Sequence, residues 1–267
     1  MSAHDQACRP REAPGIMTAR TLENSHPALL ELLGPGMSVL DVGCGPGTLT
    51  VEIARRVEPG HVVGMDTNPE MILAAEQASP PGEIENLVFY TGDIRESSWE
   101  GEFDLVNAAR TLQWIPDVAG AVERMGRAAV PGGRVVLLDY DHTKAEWSGA
   151  PAAWTRFYAA FLAWRSAGGL DNAIARRLPA LCEAAGLVDI DTAARLETVR
   201  AGDPDFFRAA GLWRMMIESR GRQMVASGHL AESEREAALH AFTDWMKRPH
   251  ATQTLHGSCV VARRPPC

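Results

Sequence analysis

The chain has 267 residues, 46% of them hydrophobic and 22% charged, with a formal net charge of −8. That is enough chain for one large α/β domain with insertions and a sizeable core, and it excludes global disorder. The excess of acid and the lack of any basic run count against a nucleic-acid substrate, which asks for basic surface to displace counterions from phosphate. The cysteines Cys8, Cys44, Cys182, Cys259 and Cys267 form no CxxC pair and no Cys/His cluster of zinc spacing, so no metal site is expected. They read as free thiols of a reducing cytoplasm. The stretch up to Arg20 is polar and lacks the apolar centre of a signal peptide, and no run approaches the roughly 18 apolar residues of a membrane span. The tail Arg263 to Cys267 does not fit a prenylation signal, because its cysteine is terminal.

Between about residues 37 and 140 a short apolar run, a loop and a longer amphipathic run alternate. Ser38 to Val42 is a continuous apolar run closed by glycines, the pattern of a buried parallel strand. Leu49, Ile53 and Val57 then recur at helical spacing, and Pro59-Gly60 ends that helix. His61 to Asp66 reads as the second strand, and Pro69 opens the next helix at its first turn. Leu87 to Tyr90 is the third strand and Phe103 to Asn107 the fourth. Val118, Val122 and Met125 mark a helix that ends near Pro131-Gly132-Gly133, and Arg134 to Leu138 is the fifth strand. Such alternation implies a parallel sheet covered on both faces.

After Tyr140 the character changes. Trp154, Phe157, Tyr158, Phe161 and Leu162 fall at helical spacing between Ala153 and Ala167, and a helix from Asn172 to Ala185 returns to the core. Gly186 to Ile190 reads as a sixth strand extending toward Val199, 203–250 as two or more helices, and His256 to Ala262 as a seventh strand. Eleven of the 17 aromatic residues lie between Trp147 and Trp245, either as the core of a helical cap or as the lining of a substrate pocket. The expectation is a single domain over 1–267: a doubly wound seven-stranded sheet, mostly parallel with an antiparallel last strand, plus a helical cap. The core is expected at about 36–140, 172–200 and 254–263, with cap elements at about 1–35, 141–171 and 203–250.

The segment Val39 to Thr48 carries the chemistry. A buried strand delivers the chain to a turn with three glycines, and a helix begins at once. Glycines let backbone approach a ligand and take positive φ. This is where open α/β sheets bind nucleotides. The spacing Gly43-x-Gly45-x-Gly47 puts Thr48 where the third glycine of a dinucleotide loop would fall, and Asp41 precedes it. A pyrophosphate wants a helix N-terminus; a cofactor with a cationic sulfonium and ammonium welcomes a carboxylate. The loop therefore favours S-adenosylmethionine over NAD.

The run Asp41-Val42-Gly43-Cys44-Gly45-Pro46-Gly47 resembles the first motif of class I S-adenosylmethionine-dependent methyltransferases, and the chain is similar to their UbiE-like small-molecule branch. Arg20 to His26, followed by Leu32-Leu33 and Gly36-Met37, resembles the family's lead-in. Val62 to Asp66, Thr91-Gly92-Asp93-Ile94, Leu112 to Asp117 and Ala129 to Gly133 resemble its later motifs in order. Many relatives carry His-His where this chain has Gln113-Trp114. The likeness spans residues 20 to 140 and is only outline beyond.

The resemblance implies a Rossmann-like fold and a cofactor site of Arg20, Asp41, Gly43, Cys44, Gly45, Asp66, Thr67, Met71, Gly92, Asp93, Ile94, Asn107, Ala108 and Gln113. Asp66 would accept the ribose hydroxyls and Asp93 the adenine amino group, with Ile94 on the ring. Gly43 and Gly45 would bring backbone to the methionine end, and Arg20 would hold its carboxylate. Backbone of Asn107 or Ala108 would meet the ammonium. His142 is the candidate general base and His26 a second. Tyr140, Trp147, Trp154, Tyr158, Phe161 and Trp213 are candidates for the substrate surface. The expected activity is methyl transfer to a small, partly apolar or aromatic acceptor in specialised metabolism, in the cytoplasm, without nucleic acid or membrane. An NAD(P) oxidoreductase and a cofactor-binding protein without transfer activity are the competing readings.

Overall fold

The computed structural model describes residues 20–79 and 84–266. The readings of the segment before Arg20, and of Cys8 and Cys267, lie outside the described residues. Two short helices, α1 (Leu22–Ser25) and α2 (Pro27–Leu32), precede the first strand. Strand β1 (Val39–Val42) is buried at every position, as a central parallel strand must be. Helix α3 (Thr48–Val57) buries Ile53, Ala54 and Val57 and carries Arg55 and Arg56 in its last turn, where a cation complements the helix dipole. Strand β2 (Val62–Asp66) leads to α4 (Pro69–Ala78), capped by the Asn68 side chain with proline at its first turn. Strand β3 (Leu87–Thr91), a 3₁₀ turn at Ile94–Glu96, β4 (Phe103–Ala109), a second 3₁₀ turn at Leu112–Trp114 and α5 (Val118–Ala128) follow. Then come β5 (Ala129–Trp147), α6 (Ala152–Ala167), α7 (Ile174–Ala184), β6 (Val188–Arg200), α8 (Phe206–Ala226), α9 (Glu232–Trp245) and β7 (Thr252–Arg263).

The seven strands form one sheet in the order β3-β2-β1-β4-β5-β7-β6. The pairs β1/β2, β1/β4, β2/β3 and β4/β5 are parallel. Strand β7 runs antiparallel beside β5: Gly132 and Gly133 bond to Arg264, while Ser148 bonds to Thr252. The strand order reverses between β1 and β4, the crevice where open α/β sheets bind ligands.

The chain groups into two compact units. One holds the described residues up to Asp139 with Ile174–Ala194 and the chain from Ser258; the other holds Tyr140–Ala173 and Arg195–Gly257. The first contains the glycine loop and a core built from Leu40, Val42, Val106, Val122, Met125, Leu137 and Leu178. The second contains α6, α8 and α9, with Trp154, Phe157, Phe161, Phe206, Phe242 and Trp245 all buried.

Two expectations are corrected. Strand β5 is far longer than residues 134–138, running through Pro131-Gly132-Gly133 at one end and past His142 at the other. Those residues spell a turn, but here they form an irregularity within the strand. Phe103 pairs with Ala129 and Leu105 with Arg134, so the extra residues bulge out, with Gly132 at φ 79°. Strand β7 likewise outruns its apolar centre, starting at Thr252, whereas β6 runs to Arg200, in line with its reading toward Val199. Helices α1 and α2 group with the first unit. Leu22 and Leu29 bury among Val39, Ile53, Leu105 and Val136.

Replacing Leu29, which is 0% exposed, with alanine is therefore expected to cost about 2–5 kcal/mol, read from the urea midpoint. A cost near zero would show that α2 is not part of this core.

Candidate active site

Three glycines of the loop between β1 and α3 take left-handed backbone: Gly43 at φ 74°, Gly45 at 55° and Gly47 at 76°. A Cβ on Gly43 would lie 2.2 Å from Thr111 Oγ1, and one on Gly47 would lie 2.6 Å from the Phe89 ring. The N–H groups of Gly43 and Cys44 donate to the Met65 carbonyl at 2.7 and 3.0 Å, tying the loop to the end of β2. Asp66, the last residue of β2, completes the tie. Its carboxylate accepts from Gly45 N–H at 3.0 Å and from Asn68 N–H at 2.9 Å. Burial, then the charges of Asp41 and Asp66, push the Cys44 thiol well above its ordinary range. Cys44 thus stays protonated and serves as a small loop residue rather than a nucleophile.

Beneath the loop lies a buried polar relay. Asp41 accepts from Thr50 Oγ1–H at 2.7 Å and from Asn107 Nδ2–H at 2.8 Å. Because the amide nitrogen of Asn107 faces this carboxylate, its Oδ1 faces His26 Nε2, 3.1 Å away. Burial raises the pKa of Asp41, and the bonds from Thr50 and Asn107 counter it. The Asp41 and Asn107 side chains, expected beside the cofactor, are thus spent on one another. The backbones of Asn107 and Ala108 pair with β1 on one side and β5 on the other. Nothing in the sequence announced the relay; its members lie 66 and 81 residues apart.

The remaining residues expected at the cofactor divide. Thr67 is exposed, Gly92 and Asp93 are half-buried, and Met71 and Ile94 are buried at 2% exposure, Ile94 among core residues that include Met65 and Leu112. Asp93 caps the first 3₁₀ turn, accepting from Arg95 N–H at 2.9 Å, and pairs with the Arg95 guanidinium. Burial pulls the Asp93 pKa up, but the Arg95 bonds and charge outweigh it and hold the carboxyl low. Arg95 is a site neighbour that the sequence reading missed. Its position two residues after a capping aspartate was the available signal. Gln113 is buried, its N–H donating to Asp139 at 2.9 Å and its side chain to the Arg110 carbonyl at 3.1 Å. Arg110 is held at φ 60° and donates to the Ser25 carbonyl at 3.1 Å. Arg20 is half-buried just before α1.

In the second unit His142 lies on β5, not in a loop after it, and is buried. Its Nδ1 is 3.2 Å from the Tyr158 hydroxyl, which donates to the His142 carbonyl at 2.9 Å. The rings of Tyr140, Phe161 and Trp213 stand edge-on to the imidazole at 6.1–6.2 Å between centroids. Trp213 also meets Trp147, Trp154, Tyr158 and Phe161 at 5.3–5.9 Å. The six candidates for the substrate surface thus cluster, but Trp154, Tyr158, Phe161 and Trp213 bury against one another, and Tyr140 and Trp147 are half-buried. Tyr140 donates to Glu197 at 2.7 Å and Trp147 to Gln253 at 3.2 Å. Among the described residues no group of His, Cys, Asp and Glu could hold a metal ion, and no helix is long and apolar enough to cross a membrane.

The methyltransferase domain family matches residues 33–175. The chain is 32% identical over 242 residues to a trans-aconitate 2-methyltransferase from Methylobacterium radiotolerans, covering 89% of this chain and 83% of that one. It is 32% identical over 109 residues to a demethylmenaquinone methyltransferase from Lactococcus lactis, covering 40% and 43%. A phosphoethanolamine N-methyltransferase 2 from Haemonchus contortus, solved with S-adenosyl-L-methionine, shares the fold: TM-score 0.62 at 18% identity, over 99% of this chain and 60% of that one. The chain belongs to the methyltransferase domain family, as a class I S-adenosylmethionine-dependent methyltransferase of the UbiE-like branch. The loop fits that cofactor. Its left-handed glycines present backbone rather than side chains at the turn, and the Asp66 carboxylate beside Gly45 suits a cation rather than a diphosphate.

Burial, then the positive charge of Arg165, pushes the His142 pKa well below its ordinary 6.5. The unfolded chain therefore takes up a proton that the folded chain refuses. Stability is retained above 6.5 and falls as pH drops below it, by about 1.4 kcal/mol per pH unit. Urea unfolding at about pH 7.5 and about pH 5.5 is expected to show a loss roughly 1.4 kcal/mol larger in the natural chain than in His142→Gln. Equal losses would show that His142 titrates normally.

Proposed function

We propose that this methyltransferase carries the methyl group of S-adenosylmethionine to a small, partly apolar organic acceptor. The observation that carries the reading is the left-handed glycine turn at the sheet's switch point, clasped by the Asp66 carboxylate through Gly45 N–H. Asp66 is the residue proposed to take the ribose hydroxyls. Asp93, oriented by Arg95, would accept from the adenine amino group. Backbone at Gly43 and Gly45 would lie along the methionine end, with Arg20 toward its carboxylate.

The cofactor, when bound, supplies an electrophilic methyl group on a leaving group that is already activated. The protein's task is then alignment, exclusion of water and disposal of a proton. His142, neutral and buried, is proposed to take the acceptor's proton as the new bond to the methyl carbon forms; His26 is the second candidate. Trp154 and Phe161 both pack against Trp213, and the three would act as a rigid floor. Tyr140 and Trp147, half-buried at the margin, are the members proposed to meet the acceptor. The relatives' names supply two probes of different chemistry: trans-aconitate, a carboxylic acid, and demethylmenaquinone, an apolar quinone.

Calorimetric titration is expected to show saturable binding of S-adenosylmethionine and none of NADH. Asp66→Ala should weaken the former by roughly 10- to 100-fold, the worth of one or two hydrogen bonds to a charged group. Transfer of labelled methyl to either probe should fall about 100-fold or more in His142→Gln. Binding of NADH, or indifference to Asp66→Ala, would overturn the cofactor reading; an unchanged rate in His142→Gln would overturn the base.

A further inference from the structure

Arg110 follows the last residue of β4, and its backbone is strained. It holds φ at 60°, the left-handed region that a residue with a side chain enters only at a cost. Such a conformation persists where the surroundings over-determine it. Here the Arg110 N–H donates to the Leu138 carbonyl of β5 at 2.6 Å, and the Arg110 carbonyl accepts from Gln113 Nε2 at 3.1 Å. A glycine would take the same φ without penalty. The arginine side chain therefore has a use that outweighs the strain. It is buried, at 9% exposure for the residue, and its Nη2 donates to the Ser25 carbonyl at 3.1 Å.

Ser25 closes α1, a helix of four residues. One turn of helix is too short to hold itself in water, so its place is dictated by what it is tied to. Three ties reach it from the sheet and its first helix. The Leu22 N–H donates to Glu52 Oε2 on α3 at 2.8 Å. Ser25 is held by Arg110, and the next residue, His26, by Asn107 Oδ1 on β4 at 3.1 Å. At the other end of the turn Thr21 caps α1, its hydroxyl accepting from Asn24 N–H at 3.2 Å while its own N–H donates to Asn24 Oδ1 at 3.0 Å. Arg20 precedes that cap directly. The end of β4 and the residue before α1 are thus linked through one rigid turn, and every member lies in the same compact unit.

We propose that Arg110 is a positioning residue that docks α1 on the end of β4 and so sets Arg20 for the carboxylate of the cofactor's methionine end. The inference deepens the cofactor assignment and rests on the reading of Arg20 given with it. Arg110 acts through its bond to the Ser25 carbonyl and touches no part of the cofactor. An arginine suits the task because a charged donor makes a stronger bond to a carbonyl than a neutral one does. The left-handed backbone suits it too, since it fixes the point from which the side chain starts, immediately beyond the strand that pairs with β1.

The test is calorimetric titration of the full chain with two probes, S-adenosylmethionine and its decarboxylated form, which keeps the sulfonium and the ammonium and lacks only the carboxylate. Arg110→Gly removes the tie and relieves the backbone strain. It is expected to weaken S-adenosylmethionine about 10-fold and leave the decarboxylated probe unchanged. Arg20→Ala is expected to show the same selectivity. Adding Arg110→Gly to Arg20→Ala should cost nothing further, because both act on one contact. If Arg110→Gly fails to fold, Arg110→Lys, which keeps one donor, should show the selective loss in smaller measure. A merely structural role would weaken both probes alike. Equal losses, no loss, or additive losses in the double variant overturn the inference. The cofactor reading fails separately, on indifference of both probes to Asp66→Ala.

Discussion

A carboxylate placed inside a sheet must find donors on every side, and Asp41 dictates much of what surrounds it. It sits on β1, paired with Gly64 of β2 and Asn107 of β4. Its oxygens take their hydrogen bonds from α3, through Thr50, and from β4, through Asn107. The second donor orients a third partner. With the amide nitrogen of Asn107 turned to Asp41, its oxygen can only accept, so His26 Nε2 must be the donor. One buried acid thereby fixes the side-chain order of a strand, a helix, a second strand and the junction of α1 and α2. Breaking any link would strand a buried polar group, a cost of about 1–3 kcal/mol. The loop that follows β1 therefore leaves from an anchored position.

That anchoring matters because the loop itself has little else to hold it. Left-handed glycines carry no side chain to pack, and Gly47, the residue before α3, offers no side-chain cap. The loop is held from outside by the Met65 carbonyl and the Asp66 carboxylate. This explains the choice of acids over bases near it. A carboxylate at the end of β2 can clasp backbone N–H groups and still present negative charge toward a cationic cofactor. A lysine or arginine there could do neither. Burial first, and then the carboxylates of Asp41 and Asp66, lift the Cys44 thiol.

What the sequence makes legible follows from which forces act locally. Strand β1, the glycine turn and α3 were readable because continuous apolar runs and 3.6-residue stripes are short-range signals. Asp66 was readable because it ends one. The relay was not, because Asp41, Asn107 and His26 come together only after the parallel pairing is made. The length of β5 was hidden by Pro131-Gly132-Gly133, which has the composition of a turn. Only the register jump against β4 shows it to be a bulge. The aromatic stripe of α6 was visible, but a stripe states only that a face is buried. What Trp154 and Phe161 meet depends on α8 and α9, whose Trp213 and Phe242 pack against them.

The aromatic cluster of the second unit sets its own chemistry. Rings packed edge to face exclude water without offering compensating charge, so a titratable group placed among them is held to its neutral form. His142 is such a group, and Arg165 reinforces the effect. A buried imidazole that resists protonation is costly if its task is structural, since leucine would pack as well. It becomes useful where a neutral nitrogen must be available over a broad range of pH.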